Sequence, residues 1–418
     1  MNNETGKNGI SNSKAIFLYC LVSFFLFFEM AIQVSPSVMS SELMHDLNIG
    51  TFGLGIMSGL YFYSYTAMQI PSGILFDKYN PRIIITLSIL ACVLGTLLFG
   101  LSQNIYTASL ARLLMGSGSA FAFVSVLVVT ADLFKSRYFA TITGITQMLA
   151  AFGAMTGQMP ISLLVTHIGW RSTLFTLFAI GLVLAIVVWT LLKYEKKGGT
   201  LQHNIRQHDT GIALKNILRH KQSWFIALYA CLLWVPMSSF ASLWGVPFLR
   251  KIGHFQPNEA AFLCSLMWLG LALASPLLGI FSTASKNRVF PLALSALVGA
   301  ASFFFVLQYK VSFFETGLLL FLAGAACSGQ ALSFTVVKEN NPGSARATSI
   351  AFNNMAVVIS GALFQPLIGK LLEMGKTDPL ESYNVNNFKS VLMIVFATYV
   401  ISFIVAAFFI KEPEDKNL

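Results

Sequence analysis

Twelve apolar runs punctuate the chain, at 15–39, 52–76, 82–101, 105–132, 139–165, 171–192, 223–248, 259–283, 289–308, 313–337, 346–372 and 388–410. Each is about 20 residues or longer, enough to cross a hydrocarbon core of ~30 Å as a helix. A chain with that many crossings has little choice of fold, because lipid offers no partner for a free backbone N–H or C=O and a spanning segment must satisfy its own. The composition agrees: 56% of the 418 residues are hydrophobic and only 11% are charged. A single water-facing core stops growing at about 250 to 300 residues, so this surplus implies lipid as the outer solvent. The first run follows a polar N-terminus and is too long for a signal-peptide core, so it counts as a span. The expected fold class is an all-α membrane protein of twelve transmembrane helices.

Lys and Arg set the topology. With the N-terminus inside, the cytoplasmic segments hold nineteen of them and the outer loops seven, which places both termini in the cytoplasm. The net charge of +10 is explained by those short loops rather than by a nucleic-acid surface, since no aromatic-rich basic patch gathers it. The remaining basic residue, Arg112, falls inside a helix. The polar, basic stretch 193–222 reads as a cytoplasmic linker between a six-helix bundle at 1–192 and another at 223–418, with a short amphipathic helix near 212–218. Its histidines, His203, His208 and His220, have no tight ligand spacing, and none of the five cysteines pairs at metal or redox spacing, so no metal and no other cofactor is expected.

The halves repeat. TADLFKSRYFATITGITQM from Thr130 aligns without gaps to VKENNPGSARATSIAFNNM from Val337 at an offset of 207 residues, pairing Asp132 with Glu339, Gln147 with Asn354 and Gln158 with Gln365. A second match at offset 206 brings Gly73 onto Gly279 and Arg82 onto Arg288. Internal duplication with a solute site between the halves is the architecture of secondary transporters.

GILFDKYNPR, after the second span, resembles the G-x-L-x-D-R-x-G-R-R loop motif of the major facilitator superfamily, with Asn80 at the usual second glycine as a residue tolerant of left-handed backbone. ARLLMGSGSAF, with Arg112, Gly116 and Gly118, is similar to the family's fourth-helix R-x-x-x-G-x-G motif. The resemblance implies two pseudo-symmetric six-helix bundles working by alternating access. It also implies a cytoplasmic gate in which Asp77 and Arg82 meet Asp132 and Arg137, with Glu339 and Arg346 as the counterpart and Thr283 where the second half would need its aspartate. For any one of these charges, capping a helix at the membrane surface is the alternative. VSPSVM, MQIPSG and GWR, beginning at Val34, Met68 and Gly169, resemble bacterial uptake carriers such as the phagosomal transporter (Pht) family, which implies import of amino acids or nucleosides across a bacterial inner membrane. The fifth helix lacks the G-P-x-x-G-G stretch of many family antiporters.

Inside the spans, Glu29 lies 14 residues beyond Ala15, roughly 21 Å up, and Arg112 lies 7 residues past Ile105, about 10 Å down, so the two are level in a core of ~30 Å. A lone charge at that depth costs several kcal/mol and is expected to face a wet cavity or a partner. Two roles are open. Glu29 is a proton carrier whose hold on the proton changes as Arg112 approaches, or the pair is a static bridge. In the first case Arg112 offers a bidentate fork to a substrate carboxylate, Gln33 adds a hydrogen bond one turn above Glu29, and Pro36 frees a carbonyl. Gln147, Gln330 and Asn354 are either solute-reading groups or interhelical glue. Tyr61, Tyr65, Trp234 and Trp268 are either an aromatic wall or packing, and Gly116, Gly118, Gly153 and Gly157 are close-packing points. The expected function is proton-coupled import of a small carboxylate-bearing solute such as an amino acid by a monomer. Carriage of a siderophore or nucleoside, and ligand sensing without flux, are the alternatives. No nucleophile and base, metal cluster or nucleotide loop points to an enzyme.

Overall fold

A computed structural model of the protein describes residues 12–134, 139–192, 217–253, 255–309, 312–341, 346–375 and 385–412, except the side chains of Asp77, Ala131, Phe139, Ala140, Thr141, Arg346 and Ala347. Most of the linker, including His203, His208 and most of the expected helix at 212–218, lies outside the described residues. Every regular element among the described residues is helical. The first crossing is α1 (Asn12–Val34), a 3₁₀ turn (Ser35–Met39) and α2 (Ser40–Asp46). Then follow α3 (Thr51–Lys78), α4 (Pro81–Gly100), α5 (Ile105–Ser119) with α6 (Ala122–Leu133), α7 (Phe139–Ile168) and α8 (Trp170–Leu191). The seventh crossing is α9 (Lys221–Val235), a π-helical segment (Pro236–Trp244) and α10 (Gly245–Ile252). The rest are α11 (Pro257–Ala284), α12 (Val289–Gln308), α13 (Phe313–Ala326) with α14 (Gly329–Glu339), α15 (Arg346–Met374) and α16 (Val385–Phe408). Eleven of these crossings are long and apolar enough to span a membrane. The twelfth, α3, is 28 residues long, and Ser58, Tyr61, Ser64, Tyr65, Thr66 and Gln69 dilute its apolar character. The fold is an all-α membrane protein with twelve helical crossings in two bundles.

By contact, the chain forms one compact unit from residues 1–48 and 60–201 and another from 49–59 and 202–418. The first turns of α3 group with the second unit for visible reasons. Thr51 donates to the Gly369 carbonyl at 2.8 Å, the Glu373 carboxylate accepts from the Phe52 N–H at 3.0 Å, and Gly55 and Gly59 lie against the backbone and ring of Pro366.

Each unit repeats one plan. In the first, α1 packs on α7, while α4 packs on α5 and α8; in the second, α9 packs on α15, while α12 packs on α13 and α16. The irregularities repeat as well. The first crossing of each unit breaks beside a proline, one residue before Pro36 and at Pro236, and the fourth breaks in two at 120–121 and 327–328. Internal prolines recur at Pro71 and Pro276 in the second crossings, and at Pro160 and Pro366 in the fifth.

Close approach is set by small residues, as interhelical packing in lipid requires. Gly153 and Gly157 of α7 rest on the backbone of α1 at Phe27 and Ala31, and Gly116 of α5 rests on the Tyr61 carbonyl of α3. The glycines read as packing points occupy that role.

In the loop after α3, Asn80 is extended (φ −63°, ψ 125°) rather than left-handed, because its side chain is used as an N-cap, accepting from the Arg82 N–H at 2.9 Å. The left-handed residue is Lys286 (φ 50°), at the matching place in the second half.

A Gly157→Val substitution is expected to force α1 and α7 apart. Overpacking of this kind costs about 1–3 kcal/mol, to be measured as a lowered thermal midpoint of the detergent-purified protein, with Gly73→Ala, which meets nothing within 4 Å, as the neutral control.

Candidate functional site

The break in the first crossing dictates the local chemistry. Pro36 has no N–H, so the Ile32 carbonyl loses the donor that a regular helix would supply from position 36, and the 3₁₀ turn that follows rearranges the next acceptors. The replacements come from side chains. Ser35 Oγ donates to Ile32 O at 3.0 Å and Ser37 Oγ to Val34 O at 2.9 Å. Arg112, reaching from α5, donates Nη1 to Ile32 O and Nη2 to Gln33 O, each at 3.2 Å. A hydrogen bond from a charged group is worth roughly 1.5–3 kcal/mol, so Arg112 is a structural splint of the broken helix as well as a mid-membrane charge.

Glu29 sits about one and a half turns below the break. It is 1% exposed, as is Arg112. Tyr61 of α3 lies against both: its hydroxyl donates to Glu29 Oε1 at 2.5 Å, and the Arg112 guanidinium stacks over its ring with Cζ 4.5 Å from the centroid. Among the described residues there is no Glu29–Arg112 ion pair within 4.0 Å. The two charges therefore share an aromatic intermediary, and Arg112 Nε, buried, keeps no hydrogen-bond partner. A cation over a ring is worth up to about 2 kcal/mol when desolvated, which helps a buried guanidinium tolerate the absence of a direct counter-ion.

The other expected site residues are placed as follows. Tyr61 does more than line a wall, since it is the donor to Glu29. Tyr65 is half-buried and stacks on Tyr61 with centroids 6.2 Å apart. Gln33 serves through its backbone carbonyl rather than through the hydrogen bond expected of its side chain. Gln147 is exposed, and its repeat partner Asn354 is half-buried. The neighbouring Asn353 is the fully buried amide, donating to Ser333 Oγ at 2.8 Å. Gln330 is buried on α14. Trp234 stands edge-on to Trp268 with centroids 6.3 Å apart.

The glutamines paired by the repeat, Gln158 and Gln365, clasp the broken first crossing of their own unit. Ser37 shares its one O–H between Val34 O and Gln158 Oε1, the latter at 3.1 Å, and Gln365 Nε2 donates to Ser238 O at 2.7 Å.

Of the gate residues, Arg137 and the side chains of Asp77 and Arg346 lie outside the described residues. Arg82 stacks over Trp189 at 4.2 Å. Glu339 takes Arg288, the repeat partner of Arg82, in a forked pair at 3.0 and 3.1 Å, with Ser282 Oγ on the same guanidinium. Thr283, standing where an aspartate was expected, bonds back to Gly279 O in its own helix.

Two acidic residues escaped the sequence reading. Glu412, beyond the last span, caps α12 by accepting from the N–H groups of Arg288 and Val289 at 2.7 and 3.0 Å. Asp46 accepts from Trp170 Nε1 at 3.0 Å and from Arg171, whose other nitrogen reaches Ser102 O at 3.2 Å. The only sequence signal for Asp46 was the G-W-R stretch whose two side chains it binds.

The sequence matches the family model of the Major Facilitator Superfamily over residues 19–363 and 236–418, and the chain belongs to that family. Among curated relatives, the "Uncharacterized transporter YybO" of Bacillus subtilis is 25% identical over 206 residues, 46% of this chain and 47% of that protein. The "Probable sulfoacetate transporter SauU" of Cupriavidus necator is 25% identical over 173 residues, 41% and 38% of the two chains. The "Probable galactarate/D-glucarate transporter GudP" of B. subtilis is 26% identical over 172 residues, 40% and 37%. The chain spans less than half the length of these relatives. Across the whole fold, the crystal structure of a bacterial homolog to the human lysosomal transporter Spinster, inward-facing and unoccupied, superposes with a TM-score of 0.77 at 17% identity, covering 96% of this chain and 97% of that one. The chain is thus a multi-pass membrane member of this superfamily.

The splint makes a test. If Arg112 stabilises the carbonyls that Pro36 exposes, Pro36→Ala, which restores an N–H, should reduce the cost of Arg112→Ala. The two substitutions should couple by about 0.5–3 kcal/mol in a double-mutant cycle of thermal midpoints; strict additivity would separate the arginine from the break.

Proposed function

We propose that the protein is a proton-coupled importer of a small organic anion bearing a carboxylate, with an amino acid or hydroxy acid as the first candidates. The observation that carries this reading is the arrangement of Glu29, Tyr61 and Arg112: a buried carboxyl and a buried guanidinium on one ring without a direct ion pair. Arg112 holds Ile32 and Gln33 through both terminal nitrogens and leaves Nε–H without an acceptor. A substrate carboxylate is the anion whose geometry suits that edge. Glu29 exchanges the proton. As the guanidinium swings between backbone carbonyls, substrate and Glu29, the electrostatic surroundings of the carboxyl change, and Tyr61 supplies the hydroxyl through which the two groups stay coupled. The same motion removes or restores the splint of the first crossing, so substrate binding and helix shape change together. Two of the relatives named above are described as carriers of organic acids, sulfoacetate and galactarate/D-glucarate, which supports an anionic substrate. We place the protein in a bacterial inner membrane as a monomer with both termini in the cytoplasm, from the distribution of Lys and Arg.

The reading is tested in proteoliposomes containing a pH-reporting dye at clamped membrane potential. An inward pH gradient should drive accumulation of an acid from a panel of amino acids, sulfoacetate and galactarate, with acidification of the lumen. Glu29→Gln should abolish gradient-driven accumulation and leave counterflow exchange intact. Undiminished accumulation by that variant would remove Glu29 from proton coupling.

A further inference from the structure

The buried indoles of this protein are not alike. Trp170 and Trp244, 4% and 1% exposed, both have acceptors for their N–H groups: Asp46 Oδ2 at 3.0 Å and Gln365 O at 3.2 Å. Trp268, 1% exposed, has none among the described residues. A buried donor without an acceptor costs about 1–3 kcal/mol, and in a membrane helix no bulk water stands ready to relieve it.

Position argues against a role at the lipid boundary. Trp268 lies 11 residues into the 28-residue helix α11, roughly 16 Å along its ~42 Å length, and Trp234 lies 13 residues beyond the start of α9, roughly 20 Å along. Indoles that anchor helices in lipid concentrate at the two interfaces, not at mid-depth. Carriers of this general design, by contrast, bind their solutes near the midplane. Trp234, half-buried, meets Trp268 edge to face at 6.3 Å with planes at 78°, so within the second unit the fully covered indole is packed against a partly exposed one.

We propose that Trp268 is a substrate-contacting residue, its indole N–H donating to an oxygen of the transported solute, with Trp234 as the positioning residue that fixes its ring. The inference rests on the organic-anion reading above for the identity of that oxygen, a carboxylate or hydroxyl oxygen. A neutral donor suits this task because it recognises an acceptor without adding a second buried charge.

The experiment is equilibrium binding of glutamate, galactarate, sulfoacetate and, as a non-acid, uridine to the purified full-length protein in detergent, by calorimetry. Wild type is compared with Trp268→Phe, which keeps the ring and deletes the N–H, and with Trp234→Phe. Trp268→Phe should weaken the bound acid about tenfold, the worth of one hydrogen bond, while the thermal midpoint without ligand stays level or rises because an unpaired donor has gone. Unchanged affinity in Trp268→Phe, with wild type binding an acid, overturns the inference and leaves the anion reading standing. Binding of uridine alone, weakened by Trp268→Phe, overturns the anion reading and keeps Trp268 as a contact. Wild type that binds none of the four overturns both.

Discussion

A proline in a membrane helix leaves a carbonyl that lipid cannot satisfy, and much of the first unit is arranged around that debt. Pro36 strips Ile32 of its helical donor, and the replacements at that carbonyl are Ser35 of the same crossing and the guanidinium of Arg112 from another, which also holds Gln33 O. Because Arg112 is held there, Tyr61 is held against it, and the Tyr61 hydroxyl finds Glu29. A carboxyl, a phenol and a guanidinium thus become one buried assembly through a backbone defect. That defect also gives the assembly something to do, since a guanidinium that leaves the carbonyls must change the helix they belong to.

The second unit uses the same scaffold with different chemistry. Its first crossing also breaks at a proline, and a glutamine from its fifth crossing again ties the irregular stretch, at Ser238 instead of Ser37. Among the described residues, no buried charge takes the place of Arg112 in that crossing. The mid-depth polar groups are indoles, amides and hydroxyls, while the charges sit at the helix ends, where Glu339 forks onto Arg288 and Glu412 caps α12. The packing plan is the same in both units, while the buried charge at mid-depth lies in the first and neutral polar groups lie in the second among the described residues.

The crossings were legible because long apolar runs have one physical meaning in a chain of this composition, and the repeat was legible because gapless matches at nearly equal offsets survive in the loops. Glu29 and Arg112 stood out by the cost of burying charge. Their relationship did not. The expectation was direct approach, and the geometry interposes Tyr61, whose role depends on where a third helix points its hydroxyl, a fact carried by no local pattern. Gln33 was chosen for its side chain and acts through its carbonyl; any residue at that position would do the same, so its identity held no signal. Asn80 was expected to replace a glycine and instead caps α4, the commoner use of an asparagine before a proline-led helix. Glu412 and Asp46 were overlooked because acidic residues at span ends look like solvated charge until their donors are brought to them.

The most direct measurement of the coupling role proposed for Glu29, Tyr61 and Arg112 is infrared difference spectroscopy on the reconstituted protein, recorded on adding the transported acid and compared between wild type and Glu29→Gln. A protonated-carboxyl band should change on binding in wild type, be absent from the Glu29→Gln difference spectrum, and be displaced in Tyr61→Phe, where the hydrogen bond to that carboxyl is gone. A substrate-induced carboxyl band that persists unaltered in Glu29→Gln would assign the proton to another residue and leave Glu29, Tyr61 and Arg112 as a fixed brace.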